Sequence, residues 1–255
     1  MSELKSKGHI IAMGGGGFSM EPDNPLLDEF VLSLSGRKLP RVCFLPTASG
    51  DSAAYLVKFY RAFSGCARAT DLTLFDPSSL PRRPARSADL TEFIAEQDIV
   101  YVGGGNTANL LAMWRAHGLD RILRDAWMSG KIMCGVSAGM LCWFQGGVTD
   151  SFGGAAALED GLGFIDASAC PHYDSESLRR PTYHRLIEEG FACGYAADDG
   201  AALHFQGTEL VEVVTSRPTA RAFRVEMTEG RVTETALASR FLGDSVPSTR
   251  ESKAG

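Results

Sequence analysis

The sequence predicts an α/β fold in which a mostly parallel β-sheet carries helices on both faces and a small antiparallel extension follows towards the C-terminus. Short strands alternate with helices as far as residue 136. The strands are continuously apolar, which is typical of a parallel sheet buried on both faces. Glycine-rich loops follow three of these strands, at 14–17, 103–105 and 135–139. Since such sheets bind ligands at the carboxyl ends of their strands, we expect the functional site there.

The first half of the chain supplies the alternation of strands and helices. Short apolar runs predict the strands, and apolar residues at three- and four-residue spacing predict the helices. The predicted strands are 9–13, 41–45, 69–75, 98–102 and 132–136. The predicted helices are 25–34, 51–63, 90–96, 109–117 and 119–128.

The pattern changes after residue 140. A helix is predicted over 178–188, and strands over 201–206, 209–214 and 221–227. These last strands alternate between apolar and polar residues and therefore favour antiparallel pairing with one exposed face. We expect a single α/β domain over residues 1–245 and a disordered polar tail over 246–255.

Composition excludes several classes of function. The 255 residues are 44% hydrophobic and 22% charged, with a net charge of −6 and no run of Lys or Arg, so a nucleic-acid partner is not expected. No apolar stretch approaches the roughly 18 residues that a membrane-spanning helix needs. The six cysteines lie far apart without a CxxC pair, which favours reduced thiols in a cytoplasmic protein over disulfides or a zinc site.

The segment Gly135-Val136-Ser137-Ala138-Gly139 carries the strongest chemical signal. An apolar strand precedes it and a helix follows it, so the serine stands at a sharp strand-to-helix turn. Glycines on both sides of a serine allow such a strained turn, which is the nucleophile elbow of many hydrolases. The alternative is a serine that caps an ordinary helix.

The first glycine run, 14–17, invites a phosphate-binding interpretation. The sequence lacks the Gly-Lys-Ser/Thr that completes a P-loop, and no GxGxxG opens a helix with a suitable acid further on. We therefore expect a turn at the carboxyl edge of the sheet, and no cofactor or metal.

A serine nucleophile needs a base, an acid that orients the base, and donors for the oxyanion. Among the five histidines, His172 alone follows a predicted strand end and a proline, so it is the expected base. Asp199 follows a later strand and is the preferred acid. Asp198 and Asp150 remain alternatives, whereas Asp174 is too close in sequence to His172.

Backbone N–H groups are the expected oxyanion donors. One is that of Ala138, the residue after the serine, and the second comes from the 103–105 loop, where glycine allows close approach to a tetrahedral intermediate.

Three motifs in this order and spacing resemble the peptidase E (aspartyl dipeptidase) and cyanophycinase family of serine peptidases. They are Gly103-Gly104-Gly105-Asn106-Thr107, the elbow about thirty residues later, and Pro171-His172. The resemblance implies a fold like that of class I glutamine amidotransferases, with serine in place of their cysteine. It implies Ser137 as nucleophile, His172 as base, and Gly105 and Ala138 as oxyanion donors.

The family also bears on the acid. It offers a Glu before a glycine on a late strand, matched here by Asp199-Gly200, and an Asp shortly after the elbow helix, matched by Asp150. Because Asp is shorter than Glu, Asp199 is expected to make a weaker contact with His172.

The resemblance implies hydrolysis of small peptides, above all dipeptides with an N-terminal Asp. An acidic side chain needs a cation, for which Arg179 and Arg180 are candidates, and Asn106 is a further candidate for substrate binding. The alternatives are a cyanophycinase-like or β-aspartyl peptidase, an esterase with the same triad, an ordinary α/β-hydrolase, and a non-catalytic small-ligand binder. A small peptide is the expected partner, and a homodimer is compatible with the sequence.

Overall fold

Two β-sheets form the frame of the molecule in the computed structural model, which describes residues 8–75 and 87–245. Over these residues the strands are β1 (His9–Met13), β2 (Arg41–Leu45), β3 (Arg68–Asp71), β4 (Ile99–Val102), β5 (Ile132–Val136), β6 (Phe144–Thr149), β7 (Ala156–Leu158), β8 (Ile165–Cys170), β9 (Gly194–Ala197), β10 (Ala201–Gln206), β11 (Glu209–Thr215), β12 (Ala222–Thr228), β13 (Arg231–Ala236) and β14 (Ser239–Phe241).

The first sheet has eight strands in the order β14-β11-β10-β1-β5-β4-β2-β3. Its strands β1, β5, β4, β2 and β3 are parallel to one another, and β10 and β11 extend the sheet beyond β1 in antiparallel pairing. Ile10 and Ala12 belong to one buried apolar cluster, and Ile11 and Met13 to another. Successive residues of a strand point to opposite faces, so both faces of this sheet are buried, as the apolar runs predicted.

The helices over the described residues are α1 (Gly17–Met20), α2 (Leu26–Ser33), α3 (Ala53–Phe63), α4 (Ser87–Ala95), α5 (Thr107–His117), α6 (Leu119–Met128), α7 (Ala138–Leu141) and α8 (Arg179–Glu188). These bounds agree with the predicted helices to within a few residues. The elbow helix α7 is a single turn, because the chain enters β6 only three residues later.

The second sheet was not predicted. It has six strands in the order β13-β12-β9-β8-β6-β7, with β8 parallel to both β6 and β9. Because β8 and β9 are parallel neighbours, their carboxyl ends lie side by side, and the chain leaves them towards His172 and Asp199 respectively. One apolar cluster continues from the first sheet into the second through Met140, Trp143 and Phe144.

Two further predictions concern the C-terminal tail and membrane-spanning helices. The predicted tail 246–255 lies outside the described residues. Within 8–75 and 87–245, no helix has both the length and the apolar character that a membrane crossing requires.

Candidate active site

Ser137 stands at a strained turn between β5 and α7. Its φ of 58° and ψ of −109° are unusual for a residue with a side chain. A Cβ on Gly135 would lie 2.5 Å from the carbonyl oxygen of Gly139, and one on Gly139 would lie 2.3 Å from that of Val102. The two glycines of the motif are therefore needed for close backbone packing. The Ser137 side chain makes no helix-capping hydrogen bond, which argues against the alternative of an ordinary cap.

A hydrogen-bonded chain links the serine to a histidine and an aspartate. Ser137 Oγ lies 2.9 Å from His172 Nε2, and His172 Nδ1 lies 2.7 Å from Asp199 Oδ1. His172 also has a positive φ, 54°, and its N–H donates to the carbonyl oxygen of Gly14. The histidine is thus anchored by both its backbone and its ring, and the arrangement is that of a Ser-His-Asp triad.

Asp199 is held as a carboxylate. Burial would raise its pKa, but the hydrogen bonds from His172 and Ser175 and the charge of Arg217 outweigh burial, so the pKa of Asp199 lies below its usual value. Its own N–H donates to Asp174 Oδ1 at 2.8 Å. An ionised carboxylate on Nδ1 keeps that ring proton in place, which leaves Nε2 free to accept the proton of Ser137.

The alternative acids do not meet the histidine. Asp150 has a side chain that is 64% exposed and lies 3.6 Å from an Arg179 nitrogen, because β6 carries it away from the elbow. Asp198 accepts a hydrogen bond from the backbone N–H of Arg221. The expectation that an Asp at 199 would make a weakened contact was also wrong, given the 2.7 Å distance to His172.

Two backbone N–H groups lie where oxyanion donors are expected. Within the described part of the chain, those of Gly105 and Ala138 have no protein acceptor, whereas the N–H of Ser137 donates to Met13 and that of Gly104 to the Tyr55 hydroxyl. Gly105 has a φ of 137°, and a Cβ there would lie 2.3 Å from the carbonyl oxygen of Ala48. Only glycine fits this backbone position, so the free N–H depends on the residue type.

The first glycine loop packs against the back of the triad. A Cβ on Gly15 would lie 1.9 Å from Asp199 Oδ1 and 3.2 Å from His172 Nδ1, and the Gly15 carbonyl accepts the N–H of Gly200. The sequence predicted that the glycine run lies at the edge of the sheet, but it did not predict the contact with Asp199. Because Gly15 has no side chain, the Asp199 carboxylate can lie against its backbone, and this close packing accounts for a glycine at that position.

Substituting Gly15 by alanine is expected to lower kcat/KM for a peptide substrate by about 10²-fold, since displacing a catalytic group by about 1 Å costs that much. The new methyl group would push the Asp199 carboxylate off His172. Gly65→Ala is the matched control, because nothing lies within 4 Å of a Cβ at that position. Steady-state kinetics on both variants check this, and equal activity of the two would show that the contact does not matter.

Most of the sequence matches the model of one known protein family. The model of peptidase family S51 matches residues 10–213, a range that contains all three sequence motifs and the triad. The chain belongs to peptidase family S51. This assignment agrees with the resemblance to peptidase E that the motifs predicted.

Two relatives of similar sequence are also named as peptidases. YgaJ of Bacillus subtilis, named as an uncharacterised peptidase, is 54% identical over 237 residues, which are 92% of this chain and 99% of YgaJ. The uncharacterised peptidase Lmo0363 of Listeria monocytogenes is 29% identical over 196 residues, 73% of this chain and 91% of the relative.

Two solved structures share the fold. A peptidase from an acI-B1 actinobacterium has a TM-score of 0.70 at 19% identity and covers 92% of this chain and 96% of its own. A putative peptidase E from Listeria monocytogenes has a TM-score of 0.58 at 19% identity, with coverages of 91% and 99%. The α/β fold predicted from the sequence is therefore confirmed.

None of the three residues predicted to bind substrate, Arg179, Arg180 and Asn106, lines the cavity beside Ser137. Arg179 has a side chain only 3% exposed, paired with Glu176 and donating to the carbonyl of Val148. It ties α8 to β6 and is unavailable to a peptide. Arg180 pairs with Glu234 and stacks over Tyr173.

Asn106 acts as a helix cap. Its side-chain oxygen accepts the N–H of Asn109 at the start of α5, and its amide nitrogen donates to the carbonyl of Ser151. Both ends of the side chain therefore have hydrogen-bond partners within the protein, and Asn106 fixes the start of α5 next to Gly105.

The cavity beside the nucleophile has a volume of about 390 Å³ and is lined by Ser137 and His172 together with parts of α1 and α3. Among the described residues that line it is Lys58, which was not predicted from the sequence. A signal was available, because α3 follows the exit loop of β2 at the carboxyl edge of the sheet, where the site was expected.

Proposed function

We propose that this chain is a serine exopeptidase that hydrolyses small peptides through an acyl-enzyme on Ser137. The observation that carries the proposal is the hydrogen-bonded chain from Ser137 through His172 to Asp199, at the positions where the S51 motifs occur. A non-catalytic binding protein would not need a histidine within 2.9 Å of the serine hydroxyl, so this distance counts against that alternative.

The geometry supports a two-step mechanism. His172 Nε2 takes the hydroxyl proton as Ser137 Oγ attacks the scissile carbonyl carbon, and the carbonyl oxygen becomes an oxyanion. The N–H groups of Gly105 and Ala138 stabilise that charge, each by roughly 3 kcal/mol. His172 then gives its proton to the leaving amine as the C–N bond breaks. In the second step a water, deprotonated by His172, attacks the ester and releases the acid product and Ser137.

Dipeptides with an N-terminal Asp are the proposed substrates. A cavity of about 390 Å³ suits a small peptide, and Ser137 and His172 lie at its wall. With Arg179 and Arg180 occupied elsewhere, the preference for an acidic residue depends on another cation. A cytoplasmic location is part of the proposal and is supported by the six cysteines, all of which are free thiols.

Labelling with a fluorophosphonate tests the proposal. We expect one phosphonyl adduct per chain, located on Ser137 by peptide mapping, because the reagent reacts with activated serines at an oxyanion site. The labelled protein should hydrolyse neither α-aspartyl dipeptides nor other peptides. Absence of the adduct, or turnover by fully labelled protein, would contradict the proposal. A panel that adds β-aspartyl dipeptides and p-nitrophenyl esters separates the dipeptidase from the β-aspartyl peptidase and the esterase.

A further inference from the structure

Lys58 is a cation in the cavity that holds the nucleophile. It lies in the second turn of α3, its side chain is exposed, and the cavity that it lines also contains Ser137 and His172. Its ammonium group donates to the carbonyl oxygen of Ser19 at 3.1 Å, which holds the end of the side chain beside α1.

The charge of Lys58 is unopposed in the described part of the chain. No carboxylate there lies within ion-pair distance of its ammonium group, and none of the described side chains that line the cavity is acidic. Three arginines differ in this respect: Arg179, Arg180 and Arg217 pair with Glu176, Glu234 and Glu21.

Apart from Lys58, Ser137 and His172, the described polar side chains that line the cavity carry neutral hydroxyls. Ser19, Ser52 and Tyr55 line it, and Ser52 makes no capping hydrogen bond at the start of α3. Hydroxyl groups can donate to a carboxylate, whereas an ammonium ion would find no counter-charge among them. A lone cation surrounded by hydroxyls is complementary to an anion, and in a peptide the anions are carboxylates.

We propose that Lys58 binds a carboxylate of the peptide while Ser137 attacks the scissile carbonyl carbon. This inference rests on the proposed function and names the residue that recognises the substrate. The carboxylate comes either from an acidic side chain or from the C-terminus of a dipeptide, and both sources can be tested separately.

The test compares Lys58→Met, Lys58→Arg and the control Arg61→Met on three substrates. Arg61 lies one turn further along α3 and is exposed; it lines a second cavity with Lys58, Phe18 and Pro22, but not the cavity that holds Ser137. The substrates are Asp-Leu, Asn-Leu, which lacks the side-chain charge, and Asp-Leu amide, which lacks the C-terminal charge. Binding of each to the Ser137→Ala protein, with and without Lys58→Met, is measured in parallel by calorimetry.

For Asp-Leu, Lys58→Met should lower kcat/KM about tenfold or more, mainly through KM, since a hydrogen bond to a charged group contributes that much. Lys58→Arg should retain most of the activity, and Arg61→Met all of it. The loss should vanish with Asn-Leu if Lys58 binds the side chain, or with Asp-Leu amide if it binds the C-terminus.

Three outcomes would overturn the role of Lys58: an equal loss on all three substrates, an equal effect of Arg61→Met, or affinities in the Ser137→Ala background that Lys58→Met leaves unchanged. Failure of the proposed function looks different, because the wild-type protein would then turn over none of the three peptides whatever their affinity.

Discussion

Replacing Ser137 by alanine is expected to lower kcat/KM for Asp-Leu by about 10⁶-fold, the size seen when the nucleophile of a serine protease is removed. The change deletes the only atom of the triad that bonds to substrate, while Gly105 and Ala138 keep their N–H groups. A small residual rate above the uncatalysed one should therefore survive. The measurement is steady-state hydrolysis followed by chromatography of the released amino acids.

The control for Ser137→Ala is Ser129→Ala. Ser129 follows α6, where its hydroxyl donates to the carbonyl oxygen of Ala126. Its loss should leave kcat/KM within about twofold of wild type, because it touches no part of the site. Both variants should melt within a few degrees of the wild-type protein. Peptide hydrolysis by Ser137→Ala at a tenth of the wild-type rate or more would exclude Ser137 as the nucleophile.

The sequence predicted those parts of the site that local motifs encode. The elbow at Ser137 is such a part, because a strand, a tight glycine turn and a helix follow each other within a few residues. His172, the proposed base, was singled out because a strand end and a proline mark a loop, and it lies 2.9 Å from Ser137 Oγ. Parallel pairing of the first five strands also followed from local patterns of apolar residues.

Other parts depend on contacts between distant segments, which local patterns do not encode. Arg179 looked available to substrate because it follows the histidine loop, but it is buried against the carbonyl of Val148, which belongs to β6. Lys58 was not singled out from the sequence, because its place in the cavity depends on how α3 packs beside α1 and the elbow. A strand was predicted over 221–227, which is β12, but the second sheet itself was missed because strands such as β6, β8 and β9 pair with partners far along the chain.

Asp199 and Asp150 show how closeness along the sequence can mislead. Asp150 follows the elbow by thirteen residues, but β6 runs outward from the elbow and leaves it at the surface. Asp199 lies sixty-two residues from Ser137 and reaches His172 because β9 and β8 are parallel neighbours. Because Gly15 has no side chain, the backbone of the first loop forms an isolated β-bridge with Asp199 and brings that residue close to His172. The aspartate side chain is therefore long enough to contact His172, although a glutamate was expected to make the closer contact.

Asp199→Asn is expected to lower kcat/KM by about 10⁴-fold, equivalent to about 5.5 kcal/mol of transition-state stabilisation. The amide can donate a hydrogen bond to Nδ1, which would place the ring proton on Nε2 and remove the acceptor for the Ser137 hydroxyl. Asp150→Asn is the matched control, and it should stay within about threefold of wild type because its exposed pairing with Arg179 contributes little.

A third variant, Asp199→Glu, separates charge from reach. It keeps the carboxylate, but its extra methylene has no space between Gly15 and His172, where a Cβ on Gly15 already falls 1.9 Å from Asp199 Oδ1. Its activity should lie between those of wild type and Asp199→Asn, and Gly15→Ala should lower it further. Nitrogen-15 NMR of the imidazole reads the tautomer directly, with the proton on Nδ1 in wild type and on Nε2 in Asp199→Asn. If Asp150→Asn instead causes the large loss and the tautomer of Asp199→Asn is unchanged, the acid of the triad is Asp150 and the site rearranges when it binds peptide.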